Sequence, residues 1–273
     1  MSDKNVAATG SNHGLFANRL VCITGASSGI GRSSALAFAR QGARLLLAAR
    51  RPEPLDEVAG ELRAEGCAVE TVRLDVRDAA AVQTAFASLA PEWQGIDILL
   101  NNAGLSRGLA PIHEGDIEDW DEMLDTNVKG LLYVSRAVIP GMVQREKGHV
   151  INIGSIAGRE VYANGGVYCA SKWAVRALTQ GLRVDLHETP IRVTTIDPGL
   201  VQTNFSKVRF HGDTEKASSV YKGTRPLTPE DVAEAVVWSA SQPAHVTVAE
   251  VVLLASDQAT ATTIRRDTAS QSG

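Results

Sequence analysis

Cysteine is scarce in this chain. There are three, Cys22, Cys67 and Cys169, an odd number at unrelated spacings. That speaks against a disulfide framework and a C-x-x-C zinc site. Cys22 and Cys169 lie in apolar segments and read as small core residues. The six histidines are scattered without ligand spacing, so no metal is expected. Excess positive charge is missing too: 27 Lys and Arg stand against 31 Asp and Glu, a net charge of -4. Broad phosphate-backbone binding has no support, and no nucleic acid is expected as a partner. Apolar stretches such as 45–49 fall far short of the ~18–20 residues that span a bilayer, so no membrane partner is expected. Residues 1–18 are polar and hold no apolar core before a cleavage site; no signal peptide is read, and a cytoplasmic protein is expected. What is present is ordinary: 44% apolar and 21% charged residues over 273, which argues against a disordered chain.

The interior alternates short apolar runs with amphipathic segments. Strands are expected at 20–24, 44–49, 69–74, 96–100, 149–153, 191–196 and 248–254. Several are continuously apolar, which suits strands buried on both faces of a parallel sheet. Helices are expected at 31–41, 55–65, 78–89, 119–142, 167–187 and 229–239. The last begins Thr228-Pro229-Glu230-Asp231, an N-cap followed by proline and acids at the positive dipole end. Gly42 is a plausible C-cap of the first. Strand and helix in alternation predict an α/β fold: a doubly wound parallel sheet with helices on both faces. The expected division is a flexible extension over 1–18, one folded domain over 19–258 and a polar tail over 259–273. In such a sheet the ligand sits at the carboxyl ends of the strands. Segment 201–227 has no clear period and is expected to form a mobile lid of short helices.

The strongest local signal is Thr24-Gly25-Ala26-Ser27-Ser28-Gly29-Ile30-Gly31, between a strand and a helix. Glycines let the backbone turn tightly and approach a pyrophosphate without a Cβ clash. The helix N-terminus offers unpaired N–H groups. The spacing Gly-x-x-x-Gly-x-Gly differs from G-x-G-x-x-G, but the mechanism is the same. Gly25, Ser27, Ser28, Gly29, Ile30 and Gly31 are therefore candidate dinucleotide contacts. Nineteen residues beyond Gly31 stand Arg50 and Arg51, where an NAD site would place an acid. A guanidinium fork suits the 2′-phosphate of NADP. Asp75 and Val76 after the third strand, and Asn102, Ala103 and Gly104 after the fourth, fall at the same edge.

Tyr168 and Lys172 are four apart in a predicted helix and share a face. Ser155 follows the fifth strand. A tyrosine pKa of ~10 brought down by about 2–3 requires roughly 3–4 kcal/mol, which an adjacent ammonium and a nicotinamide cation are expected to supply. Tyr168 then exchanges a proton with an alcohol or carbonyl oxygen, Ser155 holds that oxygen, and Lys172 tunes Tyr168 and binds ribose hydroxyls. Asn127 is a candidate anchor for a relay water. Arg209 is open between a partner for a substrate carboxylate and an exposed lid arginine.

These residues, with Pro198-Gly199-x-x-x-Thr203, resemble the short-chain dehydrogenase/reductase family over about residues 19–255. The resemblance implies a Rossmann-like domain, the catalytic tetrad Asn127, Ser155, Tyr168 and Lys172, and contacts of Pro198, Gly199, Val201 and Thr203 to the nicotinamide end. It implies a homodimer or homotetramer with the long helices between subunits. Pro91-Glu92-Trp93, Glu118-Asp119-Trp120, 151–158 and 208–213 further resemble the NADP-dependent 3-hydroxy acid dehydrogenases, among them serine and L-allo-threonine dehydrogenases. That implies NADP as cofactor and a small 3-hydroxy acid, or its oxo or semialdehyde counterpart, as substrate. The rival readings are a broader NADPH-dependent carbonyl reductase and a catalytically silent cofactor-binding regulator.

Overall fold

The computed structural model describes residues 14–267. Seven strands form one sheet: β1 (Leu20–Thr24), β2 (Arg44–Ala49), β3 (Val69–Arg73), β4 (Ile98–Asn101), β5 (His149–Ile153), β6 (Arg192–Pro198) and β7 (Glu250–Leu253). Their order is β3-β2-β1-β4-β5-β6-β7, and every pairing is parallel. The chain runs outward from β1 to β3, then returns to β4 on the other side of β1. That reversal opens a crevice at the carboxyl ends of β1 and β4, where such sheets receive ligands. The expected strands are all present, with ends shifted by a few residues.

Each strand feeds two cores in alternation. Val21, Ile23, Leu45 and Leu47 face one layer, and Leu20, Cys22, Leu46 and Ala48 the other. The first layer holds α1 (Gly29–Arg40), α2 (Pro52–Ala64) and α9 (Pro229–Ser241), through Phe38, Leu62 and Val236. The second holds α3 (Ala79–Ala87) and α5 (Leu131–Gln144), through Val82, Val138 and Met142. The helix α6 (Gly166–Asp185) lies beside α4 (Ile117–Leu124) and carries Tyr168 and Lys172.

The termini of the helices follow local chemistry. Thr228 and Asp231 form a capping box with Pro229 at the start of α9. Gly42, at φ +81°, follows α1 and returns its N–H to Ala39 at 2.9 Å. The helix expected at 119–142 is instead two helices joined by a π-turn, Asp125–Gly130, with no break in the chain's helical course. α2 starts earlier than expected because Pro52 occupies its first turn.

The described parts of both ends pack on the body. Residues 1–13 of the expected extension lie outside the described residues, but Phe16 is buried and stacks edge-on against Phe38 at 5.0 Å. Of the expected tail, 259–267 folds back on the body. Ala261 donates its N–H to Glu160 at 2.7 Å, and Arg266 donates to the carbonyls of Val220 and Lys222. Residues 268–273 lie outside the described residues. Segment 201–227 carries the short helices α7 (Phe205–Arg209) and α8 (Thr214–Ser219).

Candidate active site

A cleft of about 460 Å³ opens at the carboxyl edge of the sheet. The glycine turn forms its floor. Gly25 sits at φ +65°, and a Cβ there would lie 2.9 Å from Ala103 Cα. A Cβ on Gly31 would overlap the Gly25 carbonyl oxygen. Ser27, Ser28, Gly29 and Ile30 line the cleft, whereas Gly31 lies beneath it. α1 has no side-chain cap and no acid in its first turn, so its leading N–H groups face the cleft unspent. This is a cradle built for phosphate oxygens, and the residues fit a dinucleotide.

Thr24 and Asn102 fix that turn. The Thr24 hydroxyl accepts from the N–H groups of Asn102 and Ala103 at 3.1 and 3.0 Å. The Asn102 amide donates to the Thr24 and Gly25 carbonyls at 2.9 and 3.1 Å. Asn102 thus lines the cleft while its side chain braces the loop. Ala103, Gly104, Val76 and Asp75 line the same wall. Asp75 is gripped by Arg77, with Nη2 at 2.6 Å, and that hydrogen bond holds its carboxyl below the usual range.

Arg50 and Arg51 stand at the nucleotide end, both exposed. Arg50 pairs with Glu122 at 3.3 Å; Arg77 lies 3.6 Å and Arg107 2.6 Å from the same carboxylate. Burial would raise the Glu122 pKa, but Arg107 and Arg50 outweigh it and hold it below the usual range. Arg77 and Glu122 were not singled out in the sequence. Their signal is tertiary: neither falls directly after a strand.

At the other end, Ser155 and Tyr168 face each other across the end of β5. Ser155 accepts from Ala157 N–H at 3.1 Å, which orients its hydroxyl. Tyr168 packs edge-on against Phe205 at 5.6 Å. Burial pushes its phenol well above the usual tyrosine value, Tyr162 adds to this, and Arg209 and Ser155 oppose it. The expected depression by Lys172 is therefore not seen. Lys172 donates to the Ile153 carbonyl at 2.9 Å, and burial brings its amine down to about 8 against a smaller upward pull from Asp197. Asp197 is itself clamped by Arg159, whose Nε lies at 2.9 Å.

Asn127 lies behind the cleft rather than on it. Its side chain accepts from Leu105 N–H and donates to the Leu105 carbonyl, both at 2.8 Å, and donates to Ser171 at 3.0 Å. The π-turn delivers this side chain into the wall; such turns recur at functional sites. A Cβ on Gly104 would come within 3.1 Å of Asn127 Oδ1 and 3.6 Å of Lys172 Nζ, so the two side chains converge there. Pro198, Gly199, Val201 and Thr203 add to the lining, and Gln258 accepts from Leu200 N–H at 2.7 Å.

The short chain dehydrogenase family profile matches residues 19–213. The chain belongs to that family. This short-chain dehydrogenase is 50% identical over 236 residues to the NADP-dependent 3-hydroxy acid dehydrogenase of Salmonella typhi, covering 86% of this chain and 94% of that one. It is 42% identical over 250 residues to the NADP-dependent 3-hydroxy acid dehydrogenase of Schizosaccharomyces pombe, covering 91% and 96%. Among solved structures it is similar to the closed form of serine dehydrogenase complexed with NADP+, at a TM-score of 0.85 and 48% identity, covering 91% of this chain and 100% of that one. The short-chain dehydrogenase is also similar to serine dehydrogenase from Escherichia coli, at a TM-score of 0.76 and 44% identity, covering 88% and 99%.

Proposed function

We propose that this chain is an NADP(H)-dependent oxidoreductase that interconverts a small 3-hydroxy acid and its oxo or semialdehyde counterpart. The observation that carries this reading is the convergence, in one cleft, of a glycine cradle ending at Arg50 and Arg51 with the Ser155–Tyr168 pair. Relatives of 42–50% identity that bear the name NADP-dependent 3-hydroxy acid dehydrogenase support the substrate class.

NADP+, when bound, would supply a hydride acceptor and a positive charge. The α1 N-terminus and the glycine turn would hold its pyrophosphate, and Arg50 and Arg51 the 2′-phosphate. Ser155 Oγ hydrogen-bonds the reacting substrate oxygen. Tyr168 Oη gives that oxygen a proton in reduction and takes it in oxidation. Its raised pKa keeps it protonated at neutral pH, ready as the acid; proton abstraction needs added positive charge at the site. Lys172, with an amine near 8, binds ribose hydroxyls. Asn127 holds the Leu105 backbone.

The enzyme is proposed as a homodimer or homotetramer. Trp173 on α6 and Trp238 on α9 are 43% and 52% exposed, apolar area that suits an interface between copies. Among the described residues no helix is long and apolar enough to cross a membrane, and a cytoplasmic setting is proposed. The deciding experiment is a steady-state panel of L-serine, L-allo-threonine and 3-hydroxyisobutyrate with NADP+ and with NAD+. Turnover with NADP+ preferred is expected. No turnover on any of these, alongside good reduction of a bulky ketone, overturns the reading.

A further inference from the structure

Arg209 ends α7 and meets the opposite wall of the cleft at several points. Its Nε donates to Ser106 Oγ at 2.9 Å, and its Nη2 to the Tyr162 hydroxyl at 2.8 Å. Its guanidinium carbon stands 5.1 Å from the centre of the Tyr168 ring, 5.2 Å from Phe205 and 5.9 Å from Tyr162. Every one of these partners is neutral. Among the described residues no carboxylate pairs with Arg209, and Nη1 has no hydrogen-bond partner. The other cations on the cleft differ. Arg50 faces Glu122, Lys172 and Arg266 donate to carbonyls, and Arg51 is exposed to water.

A guanidinium drawn partly out of water loses hydration that rings and hydroxyls return only in part. A carboxylate restores the balance with charge-assisted hydrogen bonds, and the planar fork suits its two oxygens. We infer that Arg209 is the seat of the substrate carboxylate and the residue that selects acids over neutral alcohols. The assignment rests on the hydroxy-acid reading above. A cation this close to the Tyr168 ring admits a short spacer between the acid group and the reacting carbon, and it disfavours long-chain acids.

The same residue couples recognition to closure. Gly108 N–H donates to the Arg209 carbonyl at 2.9 Å, and Arg107 donates to the Val208 carbonyl at 2.8 Å. The guanidinium reaches the cleft through a segment pinned to the opposite wall. The acid is therefore bound by a lid that has closed.

The test is calorimetric titration of the NADP+-loaded protein with isobutyrate and with isobutyramide, which differ in charge and little in shape. The wild type is expected to bind isobutyrate at least tenfold more tightly. Arg209→Met is expected to abolish that preference, and Arg209→Lys, which keeps the charge without the fork, to retain part of it. In turnover, the ratio of kcat/KM for 3-hydroxyisobutyrate to that for its methyl ester should fall at least tenfold in Arg209→Met, mainly through KM. Equal binding of the two probes by the wild type, or an undiminished preference in Arg209→Met, overturns the assignment. Binding needs no turnover, so a protein that oxidises only other alcohols defeats the hydroxy-acid reading while the titration still decides the role of Arg209.

Discussion

Lys172 gives its ammonium to the carbonyl oxygen of Ile153, 2.9 Å away, and not to Tyr168 one helical turn earlier. The amine is buried with its pKa lowered from 10.5 to about 8. Below pH 8 it is charged in both folded and unfolded chains, and the folded chain bears the full cost of burying it. Between 8 and 10.5 the unfolded chain binds more protons, so this contribution to stability improves as pH rises. The full difference corresponds to about 3 kcal/mol. Lys172→Met should therefore lose activity yet resist urea better than the wild type at pH 7, by about 1–3 kcal/mol. The advantage should shrink toward pH 10. Equal midpoints at pH 7, or a gap that widens with pH, would contradict the cost assigned to this charge.

Tyr168→Phe removes the acid and little else. The ring still packs on Phe205, and only the hydroxyl facing Ser155 is lost. kcat should fall by about 10²–10⁴, the usual range for an acid–base group. Stability should change by no more than about 1.5 kcal/mol. NADPH binding, followed by its fluorescence, should persist. A clean preparation that keeps its turnover would remove Tyr168 from the proton path.

The sheet was legible because its strands are apolar on both faces, so runs such as 45–49 have few other readings. The cradle was legible because a glycine turn between strand and helix is a local device. The π-turn at Asn127 was not: nothing local in Asp125–Gly130 marks a widened turn, and the bonds of Asn127 to Leu105 and Ser171 are tertiary. Nor was the direction of Lys172. Spacing places it on the face of Tyr168, but a strand-end carbonyl competes for the amine. The raised phenol of Tyr168 depends on burial among residues far apart in the chain, from Leu105 and Met123 to Ala157 and Phe205. The docking of 259–267 depends on carbonyls at the end of α8 and beyond, which a polar sequence does not announce.

Arg50 should set coenzyme choice. It is half exposed and held by Glu122 at 3.3 Å, a contact weak enough in water to yield to a phosphate. Arg50→Asp replaces the fork with an acid suited to a ribose 2′-hydroxyl and repels the 2′-phosphate. The ratio of kcat/KM with NADP+ to that with NAD+ should fall at least about tenfold, some 1.4 kcal/mol. An unchanged ratio would leave the selection to Arg51 or to backbone groups.

His149 on β5 gives the fold an acid limit. It is buried, and burial, helped by Arg192, brings its pKa from 6.5 down to about 3. Its Nε2 lies 2.7 Å from Thr194 Oγ1, and that hydroxyl donates its own hydrogen to the Val248 carbonyl at 2.7 Å. Nε2 must then carry the proton, and Nδ1, which has no partner among the described residues, is left as a bare acceptor. Between pH 3 and 6.5 the unfolded chain binds a proton that the folded chain refuses. Stability from this group is whole above 6.5 and drains away as pH falls toward 3. The loss approaches about 4–5 kcal/mol at its limit. His149→Gln keeps one donor for Thr194 and has no proton to gain, so its melting temperature should fall less between pH 7 and 4 than that of the wild type. Parallel melting curves across that range would show that the ring is not what the acid attacks.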